Sequence, residues 1–241
     1  MEFGVFLLAQ QRGYHQSSEH VIRNTIEQTI MAEQAGFSSA WYAEHHFNNY
    51  SLSPSPLMTI AHIAAKTRTI RLGTAVCILP LYNPSRLLAE IGFVDTVSNG
   101  RLDLGVGSGY QEFEFERFGV KIAESGAIYN EFMDVLPLGL TQKTFEYHGK
   151  YLDIPPSSIA VRCLQQVLPG YDFISYASTG NDGDGRDAVG IEGWEVSLFG
   201  AAGATSVEAL RMPRATTPWT SAEGTAKPMP ILPPEGEKIA V

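Results

Sequence analysis

The sequence predicts an α/β protein built on a parallel sheet, and three observations carry that expectation. Short apolar stretches alternate with helical patterns at a period of roughly 30 residues over the first half of the chain, as strand–helix–strand units require. The helical stretches carry their own punctuation: Gly36 closes one, Asn99-Gly100 closes another, and Pro54, Pro56 and Pro84 stand where helices begin. A polar run, Glu44-His45-His46-Phe47, follows directly on the apolar stretch 38–43, and α/β proteins gather their functional groups at the carboxyl ends of strands. Alternation by itself leaves two architectures, a barrel or a doubly wound sheet with right-handed crossovers.

Residues 2–8 read as a short strand. Val21, Ile22, Ile26, Ile30 and Met31 recur at helical spacing, predicting a helix over 21–35 that Gly36 ends. Small and aromatic residues make 38–43 the second strand. Ser53-Pro54-Ser55-Pro56 opens a helix reaching Ala65, because proline is tolerated in a first helical turn. The β-branched run 70–79 predicts one continuous third strand, and Pro84-Ser85 starts a helix to about Thr96. Residues 102–106 form the fourth strand and lead into a glycine-rich turn. A helix follows near 129–136, which Pro137 is expected to end. Residues 145–152 suggest a hairpin with His148-Gly149-Lys150 in its turn, and 173–177 and 195–199 suggest fifth and sixth strands. Beyond Leu210 the composition shifts to Pro, Thr, Ala and Gly without apolar periodicity. The expected organisation is a domain over 1–210 and an irregular Pro-rich tail over 211–241.

Composition narrows the function classes. The chain has 241 residues, 44% of them hydrophobic and 18% charged, and a formal net charge of −9. Nucleic-acid surfaces need clustered Lys and Arg, so that charge argues against one. No apolar run approaches the roughly 18 residues of a membrane span, and the first residues enter a strand pattern without a basic leader. Two cysteines, Cys77 and Cys163, are too few for a disulfide framework. The expectation is a cytoplasmic protein.

In the run Glu44-His45-His46 the side chains of an extended chain alternate, so Glu44 and His46 share one side and His45 faces the other. Adjacent histidines lack the spacing of a zinc helix, and the remaining His15, His20, His62 and His148 show no ligand spacing. An imidazole beside a carboxylate is suited to general acid–base work, which makes His45 with Glu44 the catalytic candidate. Gly105-Val106-Gly107-Ser108-Gly109-Tyr110 follows a strand, where glycines let backbone amides approach a phosphate or a flat ring. Its spacing is not that of a nicotinamide fingerprint, and acidic residues come next. Gly73-Thr74-Ala75-Val76-Cys77 places small residues at another strand end.

Taken together, these runs resemble the bacterial luciferase-like flavin monooxygenases. The matching segments are Phe3-Gly4-Val5-Phe6, Gln34-Ala35-Gly36-Phe37, Trp41 through Phe47, Leu72 through Val76, Asn83 through Glu90, Asp95 through Gly109 and Phe113 through Gly119. The likeness is dense to about residue 160 and looser over 171–210. It implies a (β/α)8 TIM-type barrel that binds reduced FMN at its carboxyl face, usually supplied by a separate flavin reductase. Molecular oxygen and the flavin would form a C4a-peroxyflavin that oxidises an aldehyde or another small organic substrate. On the resemblance, His45 corresponds to the catalytic histidine with Glu44 as its polar neighbour. Ala75-Val76 matches a flavin-contacting pair held in a non-proline cis peptide. Gly107, Ser108, Gly109, Tyr110 and Ser178 fall where the family approaches flavin and its phosphate. Gly107 and Ser108 stand where luciferase carries a reactive Cys and an Arg, so the phosphate would need backbone amides or another cation. The resemblance also implies a homo- or heterodimer. Seventh and eighth strands are not recognisable, and the expectation is an incomplete barrel of about six strands, through truncation or a frameshift. The alternative reading is a catalytically silent flavin-binding paralogue or partner subunit; a deazaflavin-dependent relative is a third.

Overall fold

The computed structural model describes residues 3–13 and 16–165, together with the backbone of 174–176. In chain order the elements are β1 (Gly4–Leu7), α1 (Ser18–Gln34), β2 (Ser39–Tyr42), α2 (Pro56–Ala64), β3 (Arg71–Thr74), β4 (Cys77–Ile78) and α3 (Pro84–Val97). Then come β5 (Leu102–Asp103), β6 (Gly105–Gly107), α4 (Glu112–Phe118), α5 (Ser125–Thr141), β7 (Phe145–His148), β8 (Asp153–Ser157) and β9 (Ile174–Tyr176).

The strands decide the architecture. β1, β2, β3 and β5 pair in that order, and β4, β6 and β9 continue the succession, every pair parallel. β3 with β4 and β5 with β6 are the halves of the third and fourth strand positions. A doubly wound sheet reverses its order at a switch point, whereas a barrel adds strands in sequence. The sequential order is that of a (β/α) barrel, and among the described residues the sheet does not close on itself. The expected sixth strand at 195–199 and the tail at 211–241 lie outside the described residues.

Side-chain alternation sorts the sheet into two faces. Leu7, Ala40, Tyr42 and Leu72 join Ile60, Ile63, Leu87, Ile91 and Phe132 in one core between strands and helices. Trp41 turns the other way, and Gly73 opposite it in register leaves room for the indole, which a Cβ at that position would strike. Helix starts follow the residues that satisfy free amides: Ser17, Ser55 and Asn83 accept from the amides of His20, Met58 and Arg86. Gly36 sits just past α1 at φ +84°, the left-handed conformation a helix stop requires.

Four expectations change. The third strand is not continuous: a cis peptide at Ala75-Val76 separates β3 from β4. Pro137 does not end its helix, for α5 runs from Ser125 to Thr141 through it. Proline removes one amide and costs about 3 kcal/mol in a helix interior. That is offset where Phe132, Val135 and Leu136 are fully buried around it, at roughly 1.5–3 kcal/mol each. α4 was not expected. Its signals are acidic residues in the first turn, Arg117 in the last and Gly119 at φ +71° as the stop. Finally, the hairpin's second strand begins at Asp153, and the Glu131 carboxylate of α5 accepts the amides of Lys150, Tyr151 and Leu152 in the turn.

Among the described residues no helix is long and apolar enough to cross a membrane.

Candidate active site

The site lies where β2, β3/β4 and β6 end. Past Tyr42 the chain stays buried through Ala43, Glu44 and His45, and the two-residue alternation of extended backbone persists. Glu44 Oε1 therefore meets His46 Nε2 at 2.9 Å, two residues on, while His45 turns away. Glu44 is 3% exposed. Its other oxygen accepts the Tyr82 hydroxyl at 2.7 Å and the Ile78 amide at 3.1 Å. Burial holds its pKa above the ordinary carboxylate value despite the donors on both oxygens. Glu44 thus fastens the β2 exit to β4 and is not the carboxylate beside His45.

That carboxylate is Glu114, on α4. His45 Nδ1 lies 3.1 Å from Glu114 Oε1, and the same oxygen accepts the His46 amide at 2.8 Å. An ionised carboxylate can only accept, so against Glu114 in that form the hydrogen is assigned to the facing imidazole nitrogen. His45 is 6% exposed, and among the described residues its ring bonds run through Nδ1, with none to Nε2. Tyr50 meets the ring edge-on at a centroid distance of 4.8 Å and Tyr110 at 6.0 Å. Gln111 Nε2 lies 3.4 Å from His45 Nδ1.

Around this dyad the strand ends present small residues. Ala75 and Val76 are half-buried between the buried Thr74 and Cys77, and their peptide is cis. The Thr74 hydroxyl locks β3 to β6, donating to the Gly105 carbonyl at 2.6 Å and accepting its amide at 2.8 Å. Gly107 and Ser108 are buried at the end of β6, and Tyr110 is 46% exposed at the rim. Gly109, at φ +77°, turns the chain into α4 so closely that a Cβ would meet Phe115 and Ile78. Burial pushes the Cys77 thiol well up, so it packs as an apolar residue. Ser178 lies outside the described residues.

Sequence reasoning brought His45, Ala75, Val76 and the residues 107–110 to one end of the sheet, and they are found there. It missed Glu114 and Gln111, which belong to the unexpected helix α4 and to its N-cap. The acidic first turn and the Gly119 stop were the signals available.

Comparison with known proteins gives the family. Residues 1–191 match the family model described as luciferase-like monooxygenase. Protein y4vJ of Sinorhizobium fredii, itself uncharacterized, is 68% identical over 169 residues, 70% of this chain and 48% of its own length. The oxygenase component of a flavin-dependent trigonelline monooxygenase from Acinetobacter baylyi is 31% identical over 171 residues, 70% of this chain and 47% of that protein. The crystal structure of the monooxygenase RslO1 from Streptomyces bottropensis matches with a TM-score of 0.66 and 26% identity, covering 69% of this chain and 51% of that one. The chain spans about half the length of the curated relatives it matches. Since the family match runs through every strand and helix that builds the site, the chain belongs to the luciferase-like monooxygenase family.

Proposed function

We propose that the chain serves a flavin-dependent monooxygenase: it holds reduced FMN at the carboxyl ends of β2, β4 and β6, and His45 is the proton-handling catalytic residue in oxidation of a small organic substrate such as an aldehyde. The observation that carries this reading is the His45 ring, buried at a strand exit with Nδ1 against Glu114 and, among the described residues, no bond to Nε2. The surroundings suit a flat conjugated ring. Ala75 and Val76 form a low ledge between buried neighbours, and Gly107 and Gly109 add backbone without side-chain bulk at the end of β6. The amides of Ser108 and Gly109 are the candidates for holding a phosphate, with Ser178 as a further one; Tyr110 would border the ring.

When bound, reduced flavin supplies the two electrons that let one atom of molecular oxygen enter the substrate while the other leaves as water. The protein's own part is to keep Nε2 of His45 in reach of the reacting atoms and to move a proton there. Tyr50 and Tyr110 pack edge-on against the ring. Glu44 acts on the scaffold, by pinning the loop that carries His45 to β4. A separate reductase would supply the reduced flavin, and a second subunit, of this or another chain, would complete the assembly.

The test is anaerobic titration of the full chain with reduced FMN, followed by aerobic turnover of a long-chain aldehyde, for wild type and His45→Ala. Both proteins should bind with similar affinity, and the variant should turn over on the order of 100-fold more slowly. No binding by the wild type would sink the flavin reading, and equal turnover would remove His45 from the chemistry. Binding without turnover in either protein would favour the silent partner-subunit reading.

A further inference from the structure

Among the described residues three carboxylates are buried: Glu44, Asp95 and Glu114. Glu44 takes donors on both oxygens. Asp95 does too, accepting the amides of Leu164 and Gln165 on Oδ2 and the Gln165 side chain on Oδ1. Glu114 is the most deeply buried of the three, at 0% exposure, yet only Oε1 is bonded and Oε2 has no partner. A buried unpaired carboxylate oxygen is costly, and natural proteins keep one where something else requires it. A purely structural tie between the β2 loop and α4 needs no such expense, since an amide side chain could accept from the His46 backbone equally well.

We propose that Glu114 is the positioning residue of this site: it holds His45 as the Nδ1–H tautomer with Nε2 bare, and its under-paired charge steadies the imidazolium when Nε2 takes up a proton. This rests on the proton-handling reading of His45. The arrangement also contains a competitor. Gln111 Nε2 stands 3.4 Å from the same Nδ1, and an amide hydrogen cannot be accepted by a nitrogen that already carries one. Glu114 therefore decides between two tautomers. With its carboxylate gone, Gln111 becomes the donor to Nδ1, the hydrogen moves to Nε2, and the nitrogen facing the reacting atoms loses its lone pair.

Imidazole nitrogen NMR on the full-length, 15N-histidine-labelled protein, free of flavin, tests the assignment; the His45 signals are those absent from His45→Ala. The wild type should show Nδ1 protonated and Nε2 bare, Glu114→Gln should keep that pattern through its own carbonyl oxygen, and Glu114→Leu should reverse it. A wild type protonated at Nε2, or a folded Glu114→Leu with the pattern unchanged, overturns the proposal. If Glu114→Leu does not fold, the wild-type signals and Glu114→Gln still decide. In aldehyde turnover with reduced FMN, Glu114→Gln should lower kcat on the order of 10- to 100-fold with KM within about twofold. An unchanged kcat overturns the electrostatic half. Because the nitrogen signals are read without flavin, failure here is distinguishable from failure of the flavin reading.

Discussion

The Tyr82 hydroxyl donates to Glu44 Oε2 at 2.7 Å, tying the turn after β4 to the loop that carries the histidines. Burial raises the Glu44 pKa, and the donors from His46, Tyr82 and Ile78 counter only part of that. A carboxyl whose folded pKa lies above its unfolded one contributes stability that is present below the unfolded value and lost as pH rises through the folded value. Once ionised, the buried carboxylate depends on its donors.

Tyr82→Phe should therefore destabilise the protein by about 1–3 kcal/mol near pH 7. The deficit should shrink by about pH 4, where Glu44 is protonated in the folded state. Urea unfolding at both pH values measures it, and an equal deficit at the two would show that the hydroxyl does not serve the charge.

Glu33 behaves in the opposite sense. Burial would raise its pKa, but the amides of Ile70, Thr69 and Arg68 and the Thr69 hydroxyl outweigh that and bring it from 4.5 to about 2. Its contribution is present above the unfolded value and lost as pH falls toward 2. Glu33→Gln should cost no more than about 1 kcal/mol at pH 7, because the group is partly solvated. Stability curves of variant and wild type should converge as the pH falls from 4.5 to about 2. Curves that stay parallel would mean the loop is held by other contacts.

Arg101 is buried, and among the described residues no carboxylate pairs with it. Its guanidinium donates to the carbonyls of Ser98, Ile70, Ala64 and Thr67 and to the Thr67 hydroxyl, at 2.7 to 3.2 Å, closing the end of α2 against β5. Arg101→Leu should lose on the order of 3–5 kcal/mol by orphaning those acceptors. Arg101→Lys should recover only part, since an ammonium has three donors and no planar fork. Chemical denaturation of both variants compares them; full rescue by lysine would reduce the role of Arg101 to its charge.

Gly73→Ala should destabilise by about 1–3 kcal/mol through overpacking, since its Cβ would meet the Trp41 ring across the β2–β3 register. Pairing it with Trp41→Phe, which frees ring volume, should recover part of the loss in thermal unfolding. A double variant no better than the sum of the singles would place the strain elsewhere.

Much of this protein is written locally. The helices announce themselves through Ser17, Ser55, Asn83 and Gly36, whose side chains or dihedral freedom act within a turn of the position they mark. The separation of Glu44 and His46 from His45 follows from the two-residue period of extended chain, and the 2.9 Å contact between Glu44 and His46 is its outcome. Local rules failed where packing overrode them. Pro137 ought to stop α5, but the buried Phe132, Val135 and Leu136 outweigh one missing amide.

By itself the sequence determined the alternation of strand and helix, the strand exit bearing Glu44-His45-His46, and the family to which the motifs point. Only the tertiary structure decided the sequential strand order and which carboxylate serves which histidine. Glu44 was the neighbour in the chain, yet the partner of His45 is Glu114, 69 residues away. The reason is physical. Periodicity and capping are set by neighbours within one turn, whereas parallel pairing brings together strand ends separated by whole crossovers, and nothing in a linear pattern records which ends will meet.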